Sequence, residues 1–290
     1  MNLVQQLING IVLGHAYALV AIGWTVLLGV ARLVNFGHGQ IYMLAAFVTW
    51  WAAMPLGLPY PVAILVAVGA GILIGLVMQA AMLRLTITQD LVSIMIVTLG
   101  FGHLMRGVAG LVFGGNPQVL ETPLSYIDFE VAGAWVTAQD IAVIIACILF
   151  FLLLHFGLER GSLGRTARMV AEDPKLAQLA GINIKRVYFA VFAFEGAAVA
   201  LAAALVAPRT PILTSIGFEE VIITFVVVVL GGIGSVAGSY VAGIGLGIFT
   251  ALFGGFVSPA YATTAAFAVL MVVLVLRPGG LSLGAGKAVR

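Results

Sequence analysis

Charged side chains are scarce in this chain. Asp, Glu, Lys and Arg make up 8% of its 290 residues, against roughly a quarter in an average soluble domain. Two stretches have none: residues 33–83, 51 in a row, and residues 221–276, 56 in a row. No soluble core needs apolar runs of that length. A membrane helix needs only ~20 residues, because ~30 Å of hydrocarbon is crossed at ~1.5 Å per residue. Each run therefore crosses a bilayer at least twice. Cysteine is nearly missing too. The one thiol, Cys147, excludes a disulfide framework and a thiolate metal cluster, and its apolar neighbours make it a small buried hydrophobe. There is no G-x-x-x-x-G-K-[ST] phosphate loop, so the chain is not expected to hydrolyse nucleotide itself. No His, Asp and Glu cluster stands at ligand or acid–base spacing, which argues against a metal site and an intramembrane enzyme. A net charge of +2 gives no footprint for nucleic acid.

Glycine, by contrast, is abundant at 36 residues, many inside the apolar runs, as in Gly69-Ala-Gly71-x-x-x-Gly75 and Gly243-Ile-Gly245-Leu-Gly247. Apolar side chains do not drive helices together in lipid, whereas close backbone packing through small residues does. The pattern fits a tightly packed multi-helix body. The first 29 residues carry no basic n-region and exceed an h-region in length, so they read as a retained helix.

The breakers divide the chain into nine expected spans, near 3–29, 40–54, 61–83, 92–113, 140–157, 187–207, 219–233, 236–256 and 261–276. Eight is the alternative, because Gly231-Gly232-Ile233-Gly234-Ser235 leaves the last run open to being one broken element. The expected fold is thus an all-α, polytopic transmembrane bundle, a single domain over 1–290. Segment 159–186 holds six bases, Arg160, Arg165, Arg168, Lys175, Lys185 and Arg186, against three acids. By the positive-inside rule it is cytoplasmic, as is the tail with Arg277, Lys287 and Arg290. Segment 114–139 carries acids and no base, so it faces outside. Counting back places the N-terminus outside.

The loop 158–186 contains a capped helix. Asp173 suits an N-cap, Pro174 the first helical position, and Gly181 the left-handed residue that ends it. Leu176, Leu179 and Ile182 give this helix an apolar face. Two readings of that face are open: docking to a cytoplasmic partner, or lying on lipid headgroups.

Three separated motifs resemble one family. "GRTARMVAEDPKLAQLAGINIKRV" in the loop is similar to the coupling loop of permeases of the branched-chain amino acid (LivH/LivM) type of ABC importers. "INGIVLGHAYALVAIGWTVLLGVARLVNFGHGQIYMLAAF" at 8–47 resembles that family's N-terminal signature, and "VVVVLGGIGSVAGSYVAGIGLGI" at 226–248 its C-terminal one. The likeness is closer to the LivH-like member. It implies a second permease subunit, as a heterodimer, two cytoplasmic ATPases that hold ATP and Mg, and a periplasmic substrate-binding protein. It also implies a prokaryotic cytoplasmic (inner) membrane. The chain itself is expected to bind no cofactor. Arg165, Glu172, Asp173, Pro174 and Gly181 would carry coupling to the ATPases.

Candidates for the translocation path are Asn35 and His38, in Asn35-Phe-Gly37-His38-Gly39, together with Glu195, Gly231 and Gly232. Two glycines around a histidine break a helix, and broken helices at membrane depth are tolerated where they line a cavity. The bland alternative is an interhelical turn with a hydrogen-bonded histidine. Glu195 lies within a span, where a carboxylate costs roughly 2–3 kcal/mol or more and must face the interior or water. It either meets the path or makes a packing hydrogen bond. Arg106 admits a similar pair of readings, path-lining or snorkelled and paired. Gly231-Gly232 fits close helix packing or a pore-lining break. Arg209, Glu219 and Glu220, near the outer face, are either solvated loop charges or a surface for the binding protein. The leading reading is an ABC importer permease for branched-chain amino acids or a related small solute. The competing class is a secondary transporter driven by an ion gradient, against which the scarcity of intramembrane ionisable residues counts.

Overall fold

The computed structural model describes residues 2–88, 90–277 and 279–280, within which the side chains of 86, 88, 158–160, 162 and 163 are left aside. Lys287 and Arg290, and the side chains of Glu159 and Arg160, lie outside the described residues. Helices fall on all nine expected spans: α1 Leu3–Ala31, α2 His38–Ala53, α3 Tyr60–Ala81, α5 Leu91–Phe113, α6 Ala138–Arg160, α9 Ile184–Val206, α10 Ile216–Gly231, α11 Val236–Phe256 and α12 Ala262–Leu276. Between them lie three shorter helices, α4 Leu83–Thr88, α7 Ser162–Glu172 and α8 Pro174–Leu179. Among the described residues, seven helices are long and apolar enough to cross a membrane. α2 and α10, at 16 residues each, span only ~24 Å.

The all-α architecture carries one small addition outside the helices. Segment 114–139, read from its acids as facing outside, carries a β-hairpin, β1 Asp128–Val131 paired antiparallel with β2 Ala134–Thr137. Its turn uses Ala132 and Gly133, both at positive φ (51° and 75°), as a two-residue hairpin turn requires. The hairpin ties one end of the bundle together. Asn2 donates to the Gly133 carbonyl at 2.8 Å and Gln5 to that of Trp135 at 2.9 Å. Gln139 donates to the Leu205 carbonyl and to the Tyr60 hydroxyl. The starts of α1, α3 and α6 and the end of α9 therefore share this end. Arg209 ion-pairs with Asp140, which is also in the capping box of α6 with Thr137. That pair fixes Arg209 within the subunit, against the reading in which it waits for a partner. The end of α6, with α7, α8 and the start of α9, forms the opposite end.

α1 is the axis of the bundle, buried over most of its length, whereas α5 and α12 are largely exposed. α1 and α11 pack antiparallel on backbone: a Cβ at Gly14 would stand 2.6 Å from the Ile244 Cα, and one at Gly243 2.8 Å from the Ala18 Cα. α3 and α9 meet at Gly71 and Gly196, where an added Cβ on either would overlap the other's carbonyl. Of the glycines in the two sequence patterns, Gly71, Gly75, Gly243 and Gly247 make such approaches, while Gly69 and Gly245 have nothing within 4 Å. Gly75→Val should therefore lower stability by about 1–3 kcal/mol through overpacking. Gly69→Val should stay within about 0.5 kcal/mol. Thermal melting of the purified protein in detergent distinguishes them.

Candidate functional site

Three candidates separated by up to 160 positions meet in one buried cluster. The chain leaves α1 at Arg32, in the left-handed region (φ 54°). It then runs without helix to Gly37, with Leu33 and Asn35 buried. Asn35 Oδ1 accepts from the Gly37 N–H at 2.9 Å and closes the turn. Its Nδ2 donates to both carboxylate oxygens of Glu195, each at 3.1 Å. His38, first residue of α2, places Nδ1 2.8 Å from Glu195 Oε1, with one proton held between them. Both side chains are 0% exposed. Trp24 of α1 stacks on the imidazole, with centroids 5.1 Å apart and planes 19° apart. On the other side, the Phe36 N–H donates to Thr98 of α5 at 3.2 Å. The break between α1 and α2 is thus pinned to α9 and α5 at once.

Two donor-capable atoms of the cluster, His38 Nε2 and Trp24 Nε1, are buried without a hydrogen-bond partner among the described residues. Such orphans are rare in folded proteins. The carboxylate, by contrast, accepts three hydrogen bonds, a set that offsets much of the cost of burying it. The packing reading of Glu195 accounts for these bonds. Trp24 was missing from the sequence candidates, since its place above His38 depends on tertiary contact. Gly39, the last residue of the motif, serves approach: a Cβ there would overlap the Gly217 carbonyl, so the first turns of α2 and α10 touch.

Gly231 and Gly232 stand where α10 ends. Gly232 (φ 90°) and Gly234 (φ 83°) turn the chain, and Ser235 caps α11 by accepting from the Gly238 N–H at 3.1 Å. A Cβ at Gly231 would lie 2.5 Å from the Gly238 carbonyl carbon. The pair closes a helical hairpin, so α10 and α11 are two elements and not one broken helix.

The loop end holds the second set of candidates. Asp173 Oδ1 accepts from the N–H of Lys175 at 2.7 Å and of Leu176 at 3.1 Å. Pro174 opens α8, Ala180 caps its end, and Gly181 follows at φ 85°. Leu176 and Leu179 are 63% and 84% exposed, so α8 presents a bare apolar face. Ile182, expected on that face, instead lines a cleft of about 630 Å³ with Val26, Val30, Leu154, Arg186 and Phe194. Arg165 and Glu172 lie on α7, an amphipathic helix absent from the expected elements that buries Val170.

A family profile described as "Branched-chain amino acid transport system / permease component" matches residues 6–276. The high-affinity branched-chain amino acid transport system permease protein LivH of Escherichia coli (strain K12) is 30% identical, over 96% of this chain and 94% of its own. The corresponding permease protein BraD of Pseudomonas aeruginosa is 29% identical over the same shares. The autoinducer 2 import system permease protein LsrD of Salmonella typhi is 29% identical over 69% of this chain and 61% of its own. No solved structure matches. With a profile spanning both buried cluster and capped loop helix, the chain belongs to the family of branched-chain amino acid transport system permease components.

Proposed function

We propose that this chain is the transmembrane permease subunit of an ATP-driven importer, and that it lines the path of branched-chain amino acids or a related small solute. The observation that carries the reading is the family match over residues 6–276. Its partners are a second, different permease subunit, two cytoplasmic ATPases that hold ATP and Mg, and a periplasmic binding protein that delivers solute. The whole chain acts as one permease domain, with residues 158–186 as its coupling loop. α8 fits a docking cleft on an ATPase: its caps fix its length, and its exposed Leu176 and Leu179 need cover.

The membrane is the prokaryotic inner membrane, crossed nine times. α2 and α10 are short, but non-helical backbone such as 32–37 is tolerated at membrane depth where protein buries it. The basic loop and the tail face the cytoplasm, and the β-hairpin faces the periplasm. In support, the start of α1 is hydrogen-bonded to the hairpin, in keeping with an odd number of crossings and a cytoplasmic tail.

Two measurements test this reading. Gln178→Cys should react with an impermeant thiol reagent only from the cytoplasm, and Asp128→Cys only from outside. The native Cys147 is buried and stays silent. The opposite labelling overturns the orientation. In proteoliposomes, the assembled complex with its binding protein should take up solute when ATP is on the ATPase side, and the single chain should not. Uptake by the chain alone, driven by a proton or sodium gradient, makes it a secondary transporter instead.

A further inference from the structure

A small cavity opens between α2, α5 and α10, apart from the Glu195 cluster. Phe36, Gln40, Gly102, His103, Arg106 and Phe218 line its walls, and its volume is about 70 Å³. By that measure a water needs about 10–15 Å³, so the cavity holds a few waters or one small polar group. Arg106 is the unexplained residue. It is seven residues from the end of α5, ~10 Å inside the helix layer. It is exposed on the subunit surface, as is His103 one turn away. Among the described residues it makes no ion pair or hydrogen bond. An arginine at that depth does not face hydrocarbon without a cost of roughly 2.5–3.5 kcal/mol or more. This face of α5 therefore meets water or protein.

The surroundings say which kind of group belongs there. Among the described residues, no acid lines the cavity. Glu219 and Glu220 stand on the neighbouring turn of α10 but are not among its walls. The first turns of α2 and α10 flank it, and neither N-terminus is capped by a side chain. Helix N-termini at membrane depth favour anionic solute groups. Gln40 is 8% exposed, and its Oε1 is buried without a partner. That amide completes a polar wall able to bond the atoms beside a carboxylate, such as an ammonium.

We infer that Arg106, with Gln40 and His103 beside it, forms a transit site for the carboxylate of the carried solute, the remainder of the site being supplied across the path by the second permease subunit. The inference rests on the reading of this chain as an importer permease and names the chemistry that its path recognises. The guanidinium takes the carboxylate through two parallel N–H···O bonds.

The test uses the complex purified with its partner subunits and the arginine reagent phenylglyoxal, with modification of Arg106 read by peptide mass spectrometry. Arg106 should be modified in the solute-free complex. L-leucine, or acetate at high concentration, should slow that modification about tenfold, while L-leucinamide, which lacks the carboxylate, should not. In ATP-driven leucine uptake, Arg106→Gln should lower turnover by about tenfold or more, and Arg106→Lys by less, because lysine keeps the charge but loses the fork. An Arg106 that resists phenylglyoxal in the assembled complex is paired with the second subunit and overturns the inference. So does protection by leucinamide equal to that by leucine, or protection by neither leucine nor acetate. Protection by acetate without leucine protection or uptake retains the carboxylate site and rejects the branched-chain substrate instead.

Discussion

Cutting Glu195 back to alanine is expected to cost the subunit about 3–5 kcal/mol of stability, the penalty for breaking a buried polar pair from one side. Three hydrogen bonds converge on that carboxylate, two from Asn35 and one from His38. Without it, both side chains lose that acceptor inside a buried site, and His38 Nε2 is already without a partner among the described residues. Water cannot follow cheaply, since His38 and Glu195 are 0% exposed. Glu195→Gln should cost less, because the amide oxygen still accepts from Asn35. A double change, Glu195→Leu with His38→Leu, should cost less than the sum of the single changes, since neither partner is then left alone. Melting of the purified complex measures Glu195→Ala, Glu195→Gln, the double change and its two single changes. Wild-type melting of Glu195→Ala would remove this cluster from the list of things that hold α2 to α9.

Gly181→Val should uncouple ATP hydrolysis from solute while leaving the membrane body assembled. Gly181 sits at φ 85° directly after α8. A left-handed conformation costs an L-residue roughly 1–2 kcal/mol, and a β-branched one more. The loop then relaxes, and the orientation of α8 between Asp173 and Asn183 is lost. Asp173→Ala acts at the other end by removing the acceptor for Lys175 and Leu176, at a cost of ~1 kcal/mol. Both positions lie outside the spans, so insertion and yield should match wild type. Substrate-stimulated ATPase of the reconstituted complex, with and without loaded binding protein, should fall in both variants and further in Gly181→Val. Undiminished stimulation in Gly181→Val would mean that α8 rests on lipid headgroups and transmits nothing.

Local signals made the helices and the loop caps legible. Charge-free runs and breakers located the nine helices, and the Asp173, Pro174 and Gly181 pattern located α8 to within a residue of its end. The β-hairpin was hidden because its two strands have four residues each, too few for an alternating pattern to register. α7 was hidden because its apolar residues are few and its charges read as loop. Asn35, His38 and Glu195 were each visible as chemistry out of place in lipid. That they touch was not, because 157 positions separate His38 from Glu195 and only the packing of α9 against α1 and α2 brings them together. The same holds for Arg209 and Asp140, whose ion pair joins the turn after α9 to the first turn of α6.

α9 runs unbroken from Ile184 to Val206, and this gives the subunit a mechanical character. Its base leaves α8 through Asn183, which accepts from the Arg186 N–H at 3.2 Å. Eleven residues above Ile184, about 17 Å along the axis, Glu195 grips the start of α2. A helix is stiff along its axis, so a displacement imposed at its base would travel as a push, with α9 as the rod, to Glu195. The head of α2 at His38 would move with that push, and so would α3, which meets the same helix backbone to backbone at Gly71 and Gly196.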